Sequence, residues 1–375
     1  MNRNQEKNDQ VKKKKKPTSM FNATKHGLLF VTLWGIIATY YHFGLYYAIR
    51  STLMVVIAVI TAYLTHVIFY MIEDKITKKS YTSNDERKND RIKKIKRGVP
   101  ELTGIIVALC FQLATPLYIV VLSVILAEIV GKLMWGGFGK NKLNPAAVGF
   151  LLTSVLFGYY QNMPVLNPVV DSITSATPLS IIGQNGWHFT DYISDNFNNQ
   201  FGGIVNLLIG RTPGPLAEMS RLASILALVY MVYKKAIKWT VPLFYLGTIV
   251  LVAIPIGLIH GFPLTYPLYH ILNGGVIFAA VFMATDPVTI PKSIPGKAIF
   301  AMLMGVLTFI LRIRFMAFPE GVMFSIVIMN LFTDYISEKT AKLAKASNKL
   351  QWQVYGIIGL VSVVIVILLG FTMPY

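Results

Sequence analysis

The residues best placed to do chemistry lie in Asp171-Ser172-Ile173-Thr174-Ser175-Ala176-Thr177-Pro178-Leu179, within the longest polar segment between two blocks of apolar sequence. Pro178 pushes Thr177 toward extended backbone, which would present its hydroxyl away from any helix, and Asp171 is placed to cap a turn. On composition alone this is an ordinary Ser/Thr turn. Two carboxylates, Glu128 and Asp286, sit in apolar surroundings, and an acid inside a membrane span is a functional candidate. Glu128 has Lys132 four residues on, the spacing of a helical ion pair. Asp286 stands in Ala284-Thr285-Asp286-Pro287, where a helix breaks, and either caps backbone donors or binds a polar ligand. Such acids are too few for a proton relay built only of carboxylates.

A further candidate is the turn Gly136-Gly137-Phe138-Gly139-Lys140-Asn141-Lys142-Leu143-Asn144-Pro145-Ala146. It superficially suggests a phosphate loop, but no strand precedes it and the dinucleotide spacing is absent. Its glycines allow backbone to approach a neighbour or cofactor, and Asn141 and Asn144 can bond freed amides. The plainer reading is a tight re-entrant turn. The lone Cys110 excludes an intrachain disulfide and any CxxC metal site.

The elements that must position these residues are set by lipid. The 375 residues are 54% hydrophobic and 14% charged, against about a quarter charged in soluble domains. Apolar runs of about 20 residues recur, so an all-α polytopic membrane protein of ten to eleven helices is expected. The net charge of +18 would suggest nucleic acid in a soluble chain. Here the basic clusters flank apolar spans, which points instead to cytoplasmic loops facing anionic lipid, with no nucleic-acid partner.

In order, the sequence predicts a basic disordered cytoplasmic tail over 1–26 and a first five-helix membrane repeat over 27–160. An extracytoplasmic loop follows over 161–216, then a second five-helix repeat over 217–337, and a cytoplasmic linker with an extra helix over 338–375. Helix one is expected over Gly27–Tyr47 and helix two over Thr52–Ile72, with Arg50 between them. Leu102–Ala114 reaches only ~20 Å at 1.5 Å per residue, short of the ~30 Å hydrocarbon core, so it reads as a broken helix. Segment 161–216 carries one Arg, no Lys and three Asp, as an outside loop should. Arg312 and Arg314 fall outside, against the rule. Leu102-Thr103-Gly104 with Ala114-Thr115-Pro116 resembles Leu272-Asn273-Gly274 with Ala284-Thr285-Asp286-Pro287. Units of five helices enter from opposite sides, so the repeat would be inverted.

Asp171-x-x-Thr174-Ser175-Ala176-Thr177 resembles the flavinylation motif of the membrane subunits known as D in the Rnf complex and as B in the sodium-pumping NADH:quinone oxidoreductase. The resemblance extends through Leu102-Thr103-Gly104, Gly136-Gly137-x-Gly139-x-Asn141 with Asn144-Pro145-Ala146, Lys235-Ala236-Ile237-Lys238-Trp239 and Ala284-Thr285-Asp286-Pro287-Val288-Thr289, over roughly residues 27–337. Lys142-Leu143, Ala217, the Lys-rich N-terminus and the last helix depart from the family pattern. The resemblance implies FMN joined to Thr177 by a phosphoester that a separate flavin transferase makes. It also implies a noncovalent riboflavin or FMN near the short helices, and other membrane and iron–sulfur subunits as partners. The activity implied is electron transfer in a plasma-membrane complex that couples ferredoxin or NADH oxidation to Na+ or H+ movement. The rivals are a flavinylated subunit of a non-pumping extracellular electron-transfer system and a flavin-free secondary transporter.

Overall fold

The computed structural model describes residues 17–77, 81, 83–161, 165–169, 172–174, 177–185, 187–189, 191–314 and 321–370. Asp171, Ser175 and Ala176 lie outside this set. The helices are α1 Pro17–Phe43, α2 Leu45–Ile76, α3 Asn84–Gly98, α4 Pro100–Cys110, α5 Leu117–Ile129 and α6 Pro145–Gln161. After a two-stranded antiparallel hairpin of Val165–Asn167 and Ser172–Thr174 come α7 Pro178–Gln184, α8 Asp191–Phe201 and α9 Gly203–Ile209. Then follow α10 Arg221–Tyr233, α11 Thr240–Ile259, α12 Tyr266–Leu272, α13 Val276–Phe278, α14 Ile294–Arg314, α15 Gly321–Leu331, α16 Thr333–Lys339 and α17 Asn348–Gly370.

Among the described residues six helices are long and apolar enough to cross a membrane, and a seventh span is the pair Tyr266–Leu272 and Val276–Met283, bent by 63°. The chain is an all-α polytopic membrane protein. On α2 the large side chains Ile49, Leu53, Val56, Ile60, Leu64 and Ile68 are exposed, while Ala48, Ser51, Ala58 and Ala62 are buried. Large groups therefore face lipid and small ones face protein, as membrane helix packing favours. Gly149 shows how close the helices come: a Cβ there would sit 2.6 Å from Ala127 Cβ and strike the Ser123 carbonyl.

One packing scheme appears twice. In the first half α2 packs on α4 and α5, and α5 on α6; in the second α11 packs on α12 and α14, and α14 on α15. The halves meet where α1 lies on α10 and α6 on α15. The extra helix α17 lies across α11 and α14, with Tyr355 edge-on to Phe244 at 5.1 Å.

Several boundaries differ from the expectation. Helix α1 begins at Pro17, inside the expected tail. The break between the first two helices is Gly44, at φ 86°, so Arg50 lies within α2. From there Arg50 donates to the carbonyls of Leu113, Ala114 and Thr115 at 2.8, 3.0 and 2.9 Å, groups left without helical partners when α4 ends at Cys110. The basic loop after α2 holds helix α3, started by Ser83, whose hydroxyl accepts the Glu86 N–H. The two similar motifs also break differently. Leu102-Thr103-Gly104 is helical, whereas at Leu272-Asn273-Gly274 the helix stops, because Gly274 and Gly275 take φ 68° and 63°.

Candidate functional site

The candidate residues fall into two groups joined by one bent helix. Thr177 has the expected extended backbone, φ −97° and ψ 159°. Its hydroxyl does not point away from a helix, which corrects the expectation. Pro178 occupies the first position of α7, where a missing N–H costs nothing, and Thr177 becomes the N-cap. Thr177 Oγ1 accepts the Ser180 N–H at 3.1 Å and Ser180 Oγ accepts the Thr177 N–H at 2.8 Å, a reciprocal capping box. Thr177 is half-buried. Thr174 is a backbone partner of Val165 in the hairpin.

Helix α7 rests on the break between α12 and α13: a Cβ on Gly274 would come 2.9 Å from Leu179. Buried aromatic groups of the same loop extend this contact. Trp187 stacks on His270 at 4.2 Å, and Phe189 meets Tyr269 at 4.3 Å. The break is held by two buried arginines. Arg312 donates to the carbonyls of His270 and Asn273 at 2.5 and 2.9 Å, and Arg221 donates to Leu272 O at 2.5 Å while pairing with Glu218. Arg312 is therefore a structural cap, 1% exposed, and not a loop charge that should obey the positive-inside rule.

The second group surrounds a cavity lined from both halves of the bundle. Its polar lining is Thr24, Thr103, Lys132, Asn141, Asn144, Thr285 and Asp286, and Phe21, Phe138, Ile237 and Phe282 are among its apolar walls. Four of the candidate residues, Asn141, Asn144, Thr285 and Asp286, thus come together here. Gly136, Gly137 and Gly139 do not line it. Their φ angles of 94°, 88° and 89° turn the chain so that Phe138 and Asn141 do.

Each of the four is anchored. Asn141 Oδ1 accepts the Gly139 N–H at 3.3 Å and its amide donates to Leu143 O at 3.1 Å. Asn144 Oδ1 caps α6 through the Ala147 N–H at 3.2 Å. Thr285 Oγ1 donates to Val281 O at 2.5 Å. Asp286 accepts the Val288 N–H at 3.1 Å and the Thr289 hydroxyl at 3.3 Å, so it caps backbone and faces the cavity together. Burial pushes its carboxyl above the ordinary range, against the opposing pull of those two donors and the Lys132 charge.

Glu128 does pair with Lys132, at 2.9 Å, but it also bonds His66 Nε2 at 2.8 Å, and all three side chains are deeply buried. Sequence reading missed His66, a lone imidazole in an apolar helix. It also passed over Lys132, Thr103 and Phe21 as pocket residues, although Thr103 lay inside a noted motif.

Across this whole span the chain matches the model of the NQR2, RnfD, RnfE family, over residues 16–344. The chain belongs to that family. In the proton-translocating ferredoxin:NAD(+) oxidoreductase complex of Clostridium ljungdahlii, the component known as D is 30% identical over 80% of this chain and 85% of that protein. Its namesake in the Na(+)-translocating ferredoxin:NAD(+) oxidoreductase complex of Acetobacterium woodii is 29% identical over 83% and 86%. The component known as B in the Na(+)-translocating NADH-quinone reductase of Chromohalobacter salexigens is 32% identical over 63% and 56%. In this family member, α17 lies beyond the matched residues.

Proposed function

We propose that this chain is the electron-transferring membrane subunit of an ion-translocating ferredoxin:NAD+ oxidoreductase-type complex, with FMN esterified to Thr177. The similarity to components of two such complexes over four-fifths of the chain carries this reading. The complex would reside in the plasma membrane, with the N-terminus cytoplasmic and Thr177 outside. Its other membrane and iron–sulfur subunits, and a flavin transferase, are the implied partners.

The residues present fit the cofactor. Among the described residues Thr177 Oγ1 accepts one hydrogen bond and donates none, so exchanging its O–H for an O–P bond leaves the cap in place. The chemistry of the cavity lining suits a second, noncovalent flavin, riboflavin or FMN. Phe21, Phe138, Ile237 and Phe282 offer apolar faces to a flat ring, while Asn141, Thr103 and Asp286 offer polar atoms to its edge and Lys132 a positive charge. Flavin supplies the redox chemistry that side chains cannot, and the protein supplies position and electrostatics.

The chain's own contribution is geometric. Thr177 and Leu179 fix the outer attachment point on Gly274, and Phe282, a little over two turns further along the same bent element, lines the cavity. A shift of either end therefore reaches the other through the hinge at Asn273-Gly274-Gly275. That hinge is the element through which redox events would bias ion movement, since a coupling needs a two-state element that both sites touch. Two experiments address this reading. The purified chain should fluoresce as a band in a denaturing gel and Thr177→Ala should not; a dark wild-type band would favour a flavin-free transporter. In sealed vesicles, electron transfer without ion movement would overturn the coupling and favour an electron-export role.

A further inference from the structure

Behind the wall of the cavity, polar side chains from three helices and one turn form a continuous hydrogen-bonded chain. Lys132 Nζ donates to Thr103 Oγ1 at 2.6 Å, to Gly98 O at 3.1 Å and to Glu128 Oε1 at 3.2 Å. The other carboxylate oxygen, Glu128 Oε2, meets His66 Nε2 at 2.8 Å. Glu128 and His66 are 0% exposed and Lys132 2%. The chain begins at the cavity, which Lys132 and Thr103 line, and ends inside the first half of the bundle.

Protonation states follow from donor counting. An ammonium has no lone pair, so Glu128 accepts from Lys132, and as a carboxylate it accepts from His66 as well. His66 Nε2 then carries the ring hydrogen and the lone pair lies on Nδ1. Among the described residues His66 Nδ1 has no hydrogen-bond partner. Gly98 packs closely on this edge of the ring: a Cβ there would strike Cε1 and come 2.8 Å from Nδ1. A buried acceptor left unmatched is costly, and here it is an open place for one proton.

We infer that His66, Glu128 and Lys132 form one buried proton-holding site, which binds a single proton at His66 Nδ1 when negative charge enters the adjoining cavity. The inference rests on the reading of that cavity as a flavin site. With Lys132 positive, Glu128 negative and His66 neutral the network has no net charge. A reduced flavin held in the cavity would bring negative charge to the side that Lys132 lines, in a region of weak screening where opposite charge is drawn in strongly. The proton comes from water, bonds to the Nδ1 lone pair and breaks no other bond in the protein. It leaves when the electron leaves. The other ionisable groups facing the network are few. Tyr70 lies edge-on to His66 at 5.9 Å, with Lys94 over its ring and Glu73 and Arg97 acting on it, and Asp286 faces Lys132 from the second half.

The test uses the full chain in a Thr177→Ala background, so that the noncovalent flavin is the only one titrated. Proton uptake on reduction is counted with an indicator dye in weakly buffered detergent. The background protein should take up one proton more per flavin reduced than the same protein with His66→Gln, and Glu128→Gln should lose that proton too. Equal uptake in all three overturns the inference while leaving the flavin cavity standing. A background protein with no extractable flavin overturns the cavity reading and this inference with it. A second readout needs no substitution at the network: the reduced-minus-oxidised infrared spectrum should contain a band that shifts on ring-15N labelling of histidine. A spectrum without such a band overturns the inference.

Discussion

The side-chain amide of Asn144 donates to the carbonyl of Met283 at 3.2 Å, crossing from the first half of the bundle to the second. Asn330 completes the joint, accepting the Asn144 N–H at 2.8 Å and donating to Thr289 O at 3.1 Å. The turn that carries Asn141 and the end of the bent helix that carries Phe282 are thus held as one wall of the cavity. Asn144→Ala removes the cap on α6 and the hydrogen bond that crosses to Met283 O, a loss of about 1–3 kcal/mol. Thermal unfolding in detergent should show a lowered Tm together with loss of extractable flavin. An unchanged Tm and flavin content would mean that the joint does not hold the wall.

The close contact of α5 and α6 predicts that Gly149→Ala destabilises by about 1–3 kcal/mol, since backbone atoms stand where the methyl would go. Gly247 in α11 has nothing within 4 Å of such a methyl. Gly247→Ala should be neutral or stabilising by up to about 1 kcal/mol, because alanine is the better helix former. Comparing the two melting curves checks the packing of the first half directly.

Arg312→Gln should cost at least about 1.5–3 kcal/mol, the worth of hydrogen bonds to a charged group, because the His270 and Asn273 carbonyls lose their donors. Arg312→Lys should rescue only part of this, as one ammonium cannot copy the guanidinium fork. Thermal unfolding of the pair measures both. Full rescue by lysine would show that charge alone matters at the break.

Asp286 gives a pH dependence with a definite sign. Its folded carboxyl titrates above the ordinary value of about 3.9. Between the two values the folded state binds more protons than the unfolded, so stability falls as pH rises through that window. Below about pH 4 wild type and Asp286→Asn should melt close together. The variant should gain on wild type as pH rises and then hold a constant lead. A lead that is flat from acid to neutral pH would contradict the raised titration of this carboxyl.

Much of the architecture was legible because lipid imposes long apolar runs, and Pro116 announced the short α4. The Glu128–Lys132 pair was legible from helical spacing. What escaped notice depended on tertiary contact. His66 has no pattern of its own, and only the folding of α2 against α5 gives it Glu128. Arg50 and Arg312 looked like loop charges because their carbonyl partners are distant in sequence, 42 residues from Arg312 to His270 and 65 from Arg50 to Thr115. The hydroxyl of Thr177 was misdirected because Pro178 reads equally as a helix breaker and as the first residue of a helix.

The most direct test is the mass of the proteolytic peptide containing Thr177, taken from protein made in cells that possess the flavin transferase. The account predicts that peptide heavier by FMN less one water, with fragmentation placing the added mass on Thr177, and the Thr177→Ala peptide unmodified. An unmodified wild-type peptide, or an adduct on another residue, would contradict it.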